Sequence, residues 1–186
     1  MKGVAGVVLL VSAGLAHWAT LELIPGAIMS RAMDMMAERG IPLHSFVLVP
    51  RATPQNQTVV RPSPDLAYSI CRFDLDQVSL WLDVEVAPYP GMSSVSFFDD
   101  QTNNFSVVAI PIGEAMSFRL VSQRDMEGSG LAESTGSILA PSQKGLILIR
   151  RLAPNDEYSY QVNALAVGDR CAPPSPANVF EVAPEG

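Results

Sequence analysis

Histidine and cysteine are scarce: the 186 residues contain two of each. Cys71 and Cys171 lie far apart and neither stands in a CxxC, which argues against a thioredoxin-type or zinc site. His17 and His44 are isolated, and no serine sits in GxSxG, so a serine triad has nothing to draw on. HExxH, GxGxxG and GxxxxGK[ST] are absent, and Gly128-Ser129-Gly130 is an isolated loop rather than a phosphate cradle. The sequence therefore offers no catalytic residue, no metal set and no cofactor, and it leans away from an enzyme. Basic residues are also few, 12 against 19 acidic ones, for a net charge of −7. Lys2, Arg31 and Arg39 balance Glu22, Asp34 and Glu38, so the whole excess lies beyond residue 40. Such an acidic domain suits neither nucleic acid nor anionic lipid.

What the chain does have is one long uncharged run, Gly3 to Leu21. As a helix rising about 1.5 Å per residue it nearly crosses a hydrocarbon core roughly 30 Å thick. Lys2 ahead of it would hold the N-terminus in the cytoplasm and send the rest across. A cleaved signal peptide is the rival reading, with Ser12, Gly14 and Ala16 near a weak cut site. Retention is favoured because the run continues through Trp18, Ala19 and Leu21, and because no polar linker follows. His17, the lone ionisable group in the run, reads as a neutral imidazole near the interface.

Pro25-Gly26 is expected to interrupt this helix. A second, amphipathic helix then follows from Ala27 to Arg39, with Ile28, Ala32, Met35 and Met36 on one face and Gly40 and Pro42 as its stop. Its methionines, among them Met29, Met33 and Met36, make an adaptable surface for a partner, or for packing on the chain's own domain. The expected divisions are an anchor at 1–24, a juxtamembrane helix at 25–40, a β-rich extracytoplasmic domain at 41–171 and a Pro-rich tail at 172–186.

Fifteen prolines and thirteen glycines suit a turn-rich β fold. His44 to Val49 is a candidate first strand, and residues 50–64 read as loop. Val78, Leu80, Leu82, Val84 and Val86 alternate with Ser79, Trp81, Asp83 and Glu85, a period of two that predicts one buried and one wetter face. Met92–Phe98 and Phe105–Ile110 flank the polar DDQTNN as a hairpin would. Met116–Val121 is a further strand, 124–137 a loop, and Gly145–Ile149 a central strand. Asn155 to Val167 leans to helix, with Asn155 or Asp156 as cap. Asn56 and Asn104 each begin a formal glycosylation triplet of low information. Asp99, Asp100, Thr102, Asn103 and Asn104 carry oxygens enough for Ca²⁺, but residues of this kind also simply make turns. Cys71 and Cys171 form a disulfide if the domain is extracytoplasmic, or stay as two buried thiols.

Three blocks carry a resemblance: PDLAYSICRFDL at Pro64–Leu75, SVSFFDDQTNNF at Ser94–Phe105 and LAPSQKGLILIRR at Leu139–Arg151. Through Asp65, Tyr68, Ser69, Ser94, Phe97, Asp99, Thr102, Asn104, Phe105, Pro141 and Arg150 the chain resembles the bacterial family catalogued as domain of unknown function 1254. It departs from that pattern at Ser63 and at Gly91-Met92-Ser93. The resemblance implies a single β-sandwich-like domain in the bacterial envelope. Longer relatives continue into a second β domain, which a separate protein would supply to a short chain such as this one.

Two functions are expected from these readings. The first is a non-catalytic inner-membrane protein with its β domain in the periplasm, associating with a protein partner that carries the companion domain. The second is a periplasmic enzyme or small-molecule binder using a pocket lined by Arg72, Asp99, Asn104 and Arg150. That second reading requires those side chains to converge on one concave site.

Overall fold

The computed structural model describes residues 2–51, 62–78, 81–123 and 136–175. The expectations for residues 52–61, Ser79, Leu80, 124–135 and the tail beyond 175 lie outside them.

Helix α1 runs unbroken from Lys2 to Glu38, with Pro25 inside it. The expected break at Pro25-Gly26 is thereby corrected. Proline removes only its own N–H, here the donor for the Leu21 carbonyl, and helical turns on both sides carry the helix through. The helix stops where the sequence indicates. Gly40 takes a left-handed φ of +79°. Ile41 N–H donates to Met36 O (3.0 Å) and Gly40 N–H to Ala37 O (2.9 Å), which closes a Schellman cap.

The two halves of α1 have different surroundings. From Val4 to Ile24 the large apolar side chains are exposed all round. Beyond them a stripe turns inward: Met29 is buried, and Pro25, Gly26, Ala32, Met33 and Met36 are half-buried. The expected face is thus rotated, because Ile28 remains 58% exposed.

Among the described residues nine strands follow: β1 (Val47–Leu48), β2 (Leu66–Asp74), β3 (Leu82–Val86), β4 (Ser93–Phe98), β5 (Asn104–Ile110), β6 (Met116–Ser122), β7 (Ser137–Ala140), β8 (Lys144–Leu152) and β9 (Arg170–Ala172). Helix α2 (Asp156–Leu165) lies between β8 and β9, with Asn155 Oδ1 accepting from Tyr158 N–H as its cap. One sheet has five strands in the order β1-β2-β8-β4-β5, and the other has four in the order β7-β6-β3-β9. All pairings in the five-stranded sheet are antiparallel. The second sheet is mixed: β7, which begins at the last residue of the expected 124–137 loop, lies parallel to β6.

Both sheets feed one hydrophobic core. Phe73, Val95, Phe97, Ile147 and Ile149 come from the first, and Leu82, Val84, Val86, Phe118 and Leu120 from the second. The Cys71–Cys171 disulfide joins β2 to β9 across this core, with Cα atoms 6.5 Å apart. Trp81, expected on the wetter face, is buried. Its indole N–H donates to Asp83 Oδ1 at 2.7 Å, and the Arg119 guanidinium lies 5.1 Å from the ring centre. That polar partner lets the ring be covered without an unsatisfied donor.

The ends of the domain are closed differently. At one end α2 packs Val162 against Tyr89 and Ala153. At the other, α1 meets the β4–β5 hairpin. The Gln101 side chain at the hairpin tip reaches the helix at Gly26, where a Cβ would lie 2.8 Å from its Nε2.

Candidate functional site

The sequence-derived candidates separate in space. Arg72 on β2 stands opposite Leu146, and Arg150 on β8 stands opposite Tyr68. They share the outer face of the five-stranded sheet. Four residues of strand separate their positions, roughly 13 Å at about 3.3 Å per residue. Arg72 Nη1 donates to Ile41 O at 2.7 Å, tying the segment after α1 to β2. Arg150 is half-buried near the far end of that face.

Asp99 belongs to its own turn. Its Oδ1 accepts from the N–H groups of Gln101 (2.9 Å) and Asn103 (2.8 Å), and its Oδ2 from Asn103 Nδ2 (2.9 Å). Thr102 completes the turn at a φ of +65°. The Asp99 oxygens are therefore spent on their own turn, the turn reading of that stretch. Asn104, with its amide nitrogen turned inward, donates to the Phe97 and Ser106 carbonyls at 3.2 and 3.0 Å. Arg72, Asp99, Asn104 and Arg150 share no concave site. Among the described residues no group of three or more His, Cys, Asp or Glu could hold a metal.

His44 stands at a φ of +55° and its Nε2 accepts from the Asp74 N–H at 3.1 Å. It thus pins the segment after α1 to the end of β2. The expectation of a surface residue gives way to a half-buried structural one. Met29 lies buried within its own chain. Met33 and Met36 are half-buried on the same stripe.

Two hollows remain. One, of about 230 Å³, lies beside α2 and is mostly apolar, between Leu48, Leu66, Ala67, Ala153 and Val162. Arg51 sits at its mouth, 2.9 Å from Asp156 Oδ1. The other, of about 370 Å³, lies where α1 meets the domain, and five of its lining residues are charged. From α1 come Ser30, Met33 and Asp34; from the domain come Arg72, Asp74, Asp100 and Lys144. Lys144 Nζ stands 3.5 Å from Asp74 Oδ2, the most heavily used carboxylate of the set. Asp74 also accepts from Asp76 N–H and from Gln77 Nε2. Arg72 Nε is buried without a hydrogen-bond partner. Of these, the sequence singles out Arg72 and, in the DDQTNN stretch, Asp100, but gives no sign that Asp34 and Lys144 meet them. They are distant in sequence, and only the unbroken helix brings Asp34 to the sheet end.

The residue that sequence reasoning missed most plainly is Arg151. It is fully buried and forks onto Asp169 through Nη1–Oδ2 (2.8 Å) and Nη2–Oδ1 (2.6 Å).

Comparison with known proteins agrees on the domain and is silent on activity. No curated protein matches the chain. Among solved structures it resembles the VPA0106 protein from Vibrio parahaemolyticus, at 13% identity and a TM-score of 0.60. The match covers 84% of this chain but 36% of that one, so this chain spans about a third of the solved relative. The model of the protein family of unknown function DUF1254 matches residues 43–173, the whole two-sheet domain, and the chain belongs to that family.

Proposed function

We propose that this chain is a single-pass envelope protein without chemistry of its own, whose β domain, read as a sandwich, binds a partner protein carrying a companion β domain. The observation that carries the reading is the outer face of the five-stranded sheet. Val47, Ile70, Leu148, Ser96 and Val107 form one cross-strand row on it. Leu146 and Phe98 lie in the next row, paired with each other. Among these side chains none belongs to the hydrophobic core; Ser96 is buried, the others in the middle of the face are half-buried, and Val107 at the edge strand is 59% exposed. An antiparallel sheet with a free face ordinarily alternates apolar inside and polar outside. Apolar residues on both faces suit a sheet that is covered on both sides. The occupant suggested is the companion domain, because in the solved relative the matched fold forms 36% of a much longer chain.

The anchor half rests on α1, the one helix among the described residues long and apolar enough to cross a membrane or to serve as a signal sequence. Its first half has no protein around it. Lys2 favours a cytoplasmic N-terminus, and the disulfide suits an oxidising compartment such as the periplasm. N-terminal sequencing of the mature protein tests retention: a start at or beyond His17 removes the anchor. Affinity isolation in mild detergent tests the partner. A stoichiometric companion is expected, and Leu148→Glu should release it while leaving the fold intact. Recovery of the wild-type chain as a lone monomer would count against the reading.

A further inference from the structure

The polar cleft between α1 and the sheet end has a composition that selects its ligand. Three carboxylates (Asp34, Asp74, Asp100) face two cations (Arg72, Lys144). A bare phosphate would meet a net negative wall, and a simple ammonium would meet Arg72 and Lys144. A group that carries both signs satisfies both sets. Asp34 and Asp100 are exposed, and among the described residues neither carboxylate has a hydrogen-bond or ion-pair partner. They lie on two different elements, the helix and the hairpin tip. Arg72 lines the cleft with a guanidinium whose Nε is buried and whose Nη1 donates to Ile41 O, so it acts there as a fixed positive charge. Ammonium N–H donors and anionic phosphate oxygens are complementary to these groups through charge-assisted hydrogen bonds.

The height of the cleft narrows the source. A hydrocarbon core of roughly 30 Å takes about 20 helical residues, so a span beginning near Val4 leaves lipid near Ile24. Gly26, the first cleft residue, lies about 3 Å further along the axis, and Ser30 about 9 Å. The head-group layer is roughly 5–8 Å deep on each side, so the cleft opens within and just above it.

We infer that this cleft holds a phosphoethanolamine group, a primary ammonium joined to a phosphodiester, presented by a membrane lipid. The inference rests on the anchor reading above and deepens it. Asp34 and Asp100 take the ammonium, and Lys144 and Arg72 take the phosphate. A choline head group carries the same charges but no N–H donors, and is the natural control.

The test uses the full chain. Reconstitution into vesicles of phosphatidylcholine, with or without phosphatidylethanolamine, followed by flotation, reads the anchor alone, because insertion is expected in both. Native mass spectrometry of the detergent-extracted protein then counts retained lipid. One phosphatidylethanolamine per chain is expected, held about tenfold more tightly than phosphatidylcholine, and Asp34→Asn with Asp100→Asn should abolish that preference. Both positions are exposed, so the fold should tolerate the change. Equal retention of the two lipids, or a preference unchanged in the double variant, overturns the inference while leaving the anchor standing. Soluble phosphoethanolamine is the remaining arm. Saturation by it at micromolar concentration, with no lipid retained, overturns the lipid source.

Discussion

Arg151 and Asp169 form a two-pronged ion pair with side chains 1% and 0% exposed, at the α2 end of the domain. Asp169 Oδ1 also accepts from the Ala87 N–H at 3.0 Å, and the Arg151 guanidinium lies 6.0 Å from the Tyr89 ring centre. The pair therefore ties β8, the turn before β9 and the segment after β3. Removing one member leaves a charge stranded out of water, a loss of about 3–5 kcal/mol. Arg151→Met and Asp169→Leu should each cost that much in a urea titration. The double variant should cost less than either single, because no bare charge remains, though Ala87 N–H then lacks its acceptor. Losses that simply add would show that the two residues do not act as a unit.

Half of that pair was within reach of the sequence. Gly145, Ile147, Ile149 and Arg151 alternate with Leu146, Leu148 and Arg150 on β8. The inner set is buried and the outer set half-buried. Because both sets are apolar before the two arginines, period two locates the strand but not its inward face. Its faces are assigned only when β2 and β4 pair on either side. The hairpin over DDQTNN, the Asn155 cap and the stop at Gly40 were legible because each is local chemistry. The unbroken α1 was not, since a proline is tolerated where tertiary contacts at Gly26 and Met29 hold the turns around it. The junction cleft was equally hidden: its residues come from four separate parts of the chain.

The disulfide closes a loop of 100 residues between the two sheets. In the chain-entropy view, a loop of that length stabilises by about 4–5 kcal/mol. Both cysteines are buried, so reduction should require prior opening of the domain. Reductant is expected to lower the urea midpoint substantially. The variant with Cys71→Ala and Cys171→Ala should show the same shift with or without reductant. An unchanged midpoint on reduction would mean that the bond does not constrain the unfolded chain.

Gly145 is where β8 passes closest to its neighbours. A Cβ there would overlap the Phe98 carbonyl oxygen and come within 2.6 Å of Phe73 Cζ. Backbone cannot yield as a flexible side chain can. Gly145→Ala should therefore destabilise by about 3 kcal/mol or more, at the upper end for overpacking. Gly14→Ala, where a Cβ meets nothing within 4 Å, is the matched control and should be neutral. Thermal unfolding of the two variants side by side measures the contrast.

Tyr89 links the ion pair to pH. Its hydroxyl donates to the Leu152 carbonyl, and the ring is buried. Burial raises its pKa above the ordinary value of 10, the neighbouring Tyr158 adds to the rise, and Arg151 opposes it. The folded chain thus holds the phenolic proton more tightly than the unfolded chain does. The resulting stability is full below pH 10 and is lost as pH rises through the folded value. Tyr89→Phe keeps the ring, loses the hydrogen bond at a cost of about 1 kcal/mol near neutrality, and has no proton to release. The stability gap between wild type and variant should therefore shrink on going from neutral to strongly alkaline pH. A gap that stays constant across the alkaline range would mean that Tyr89 ionises in the fold as easily as it does in water.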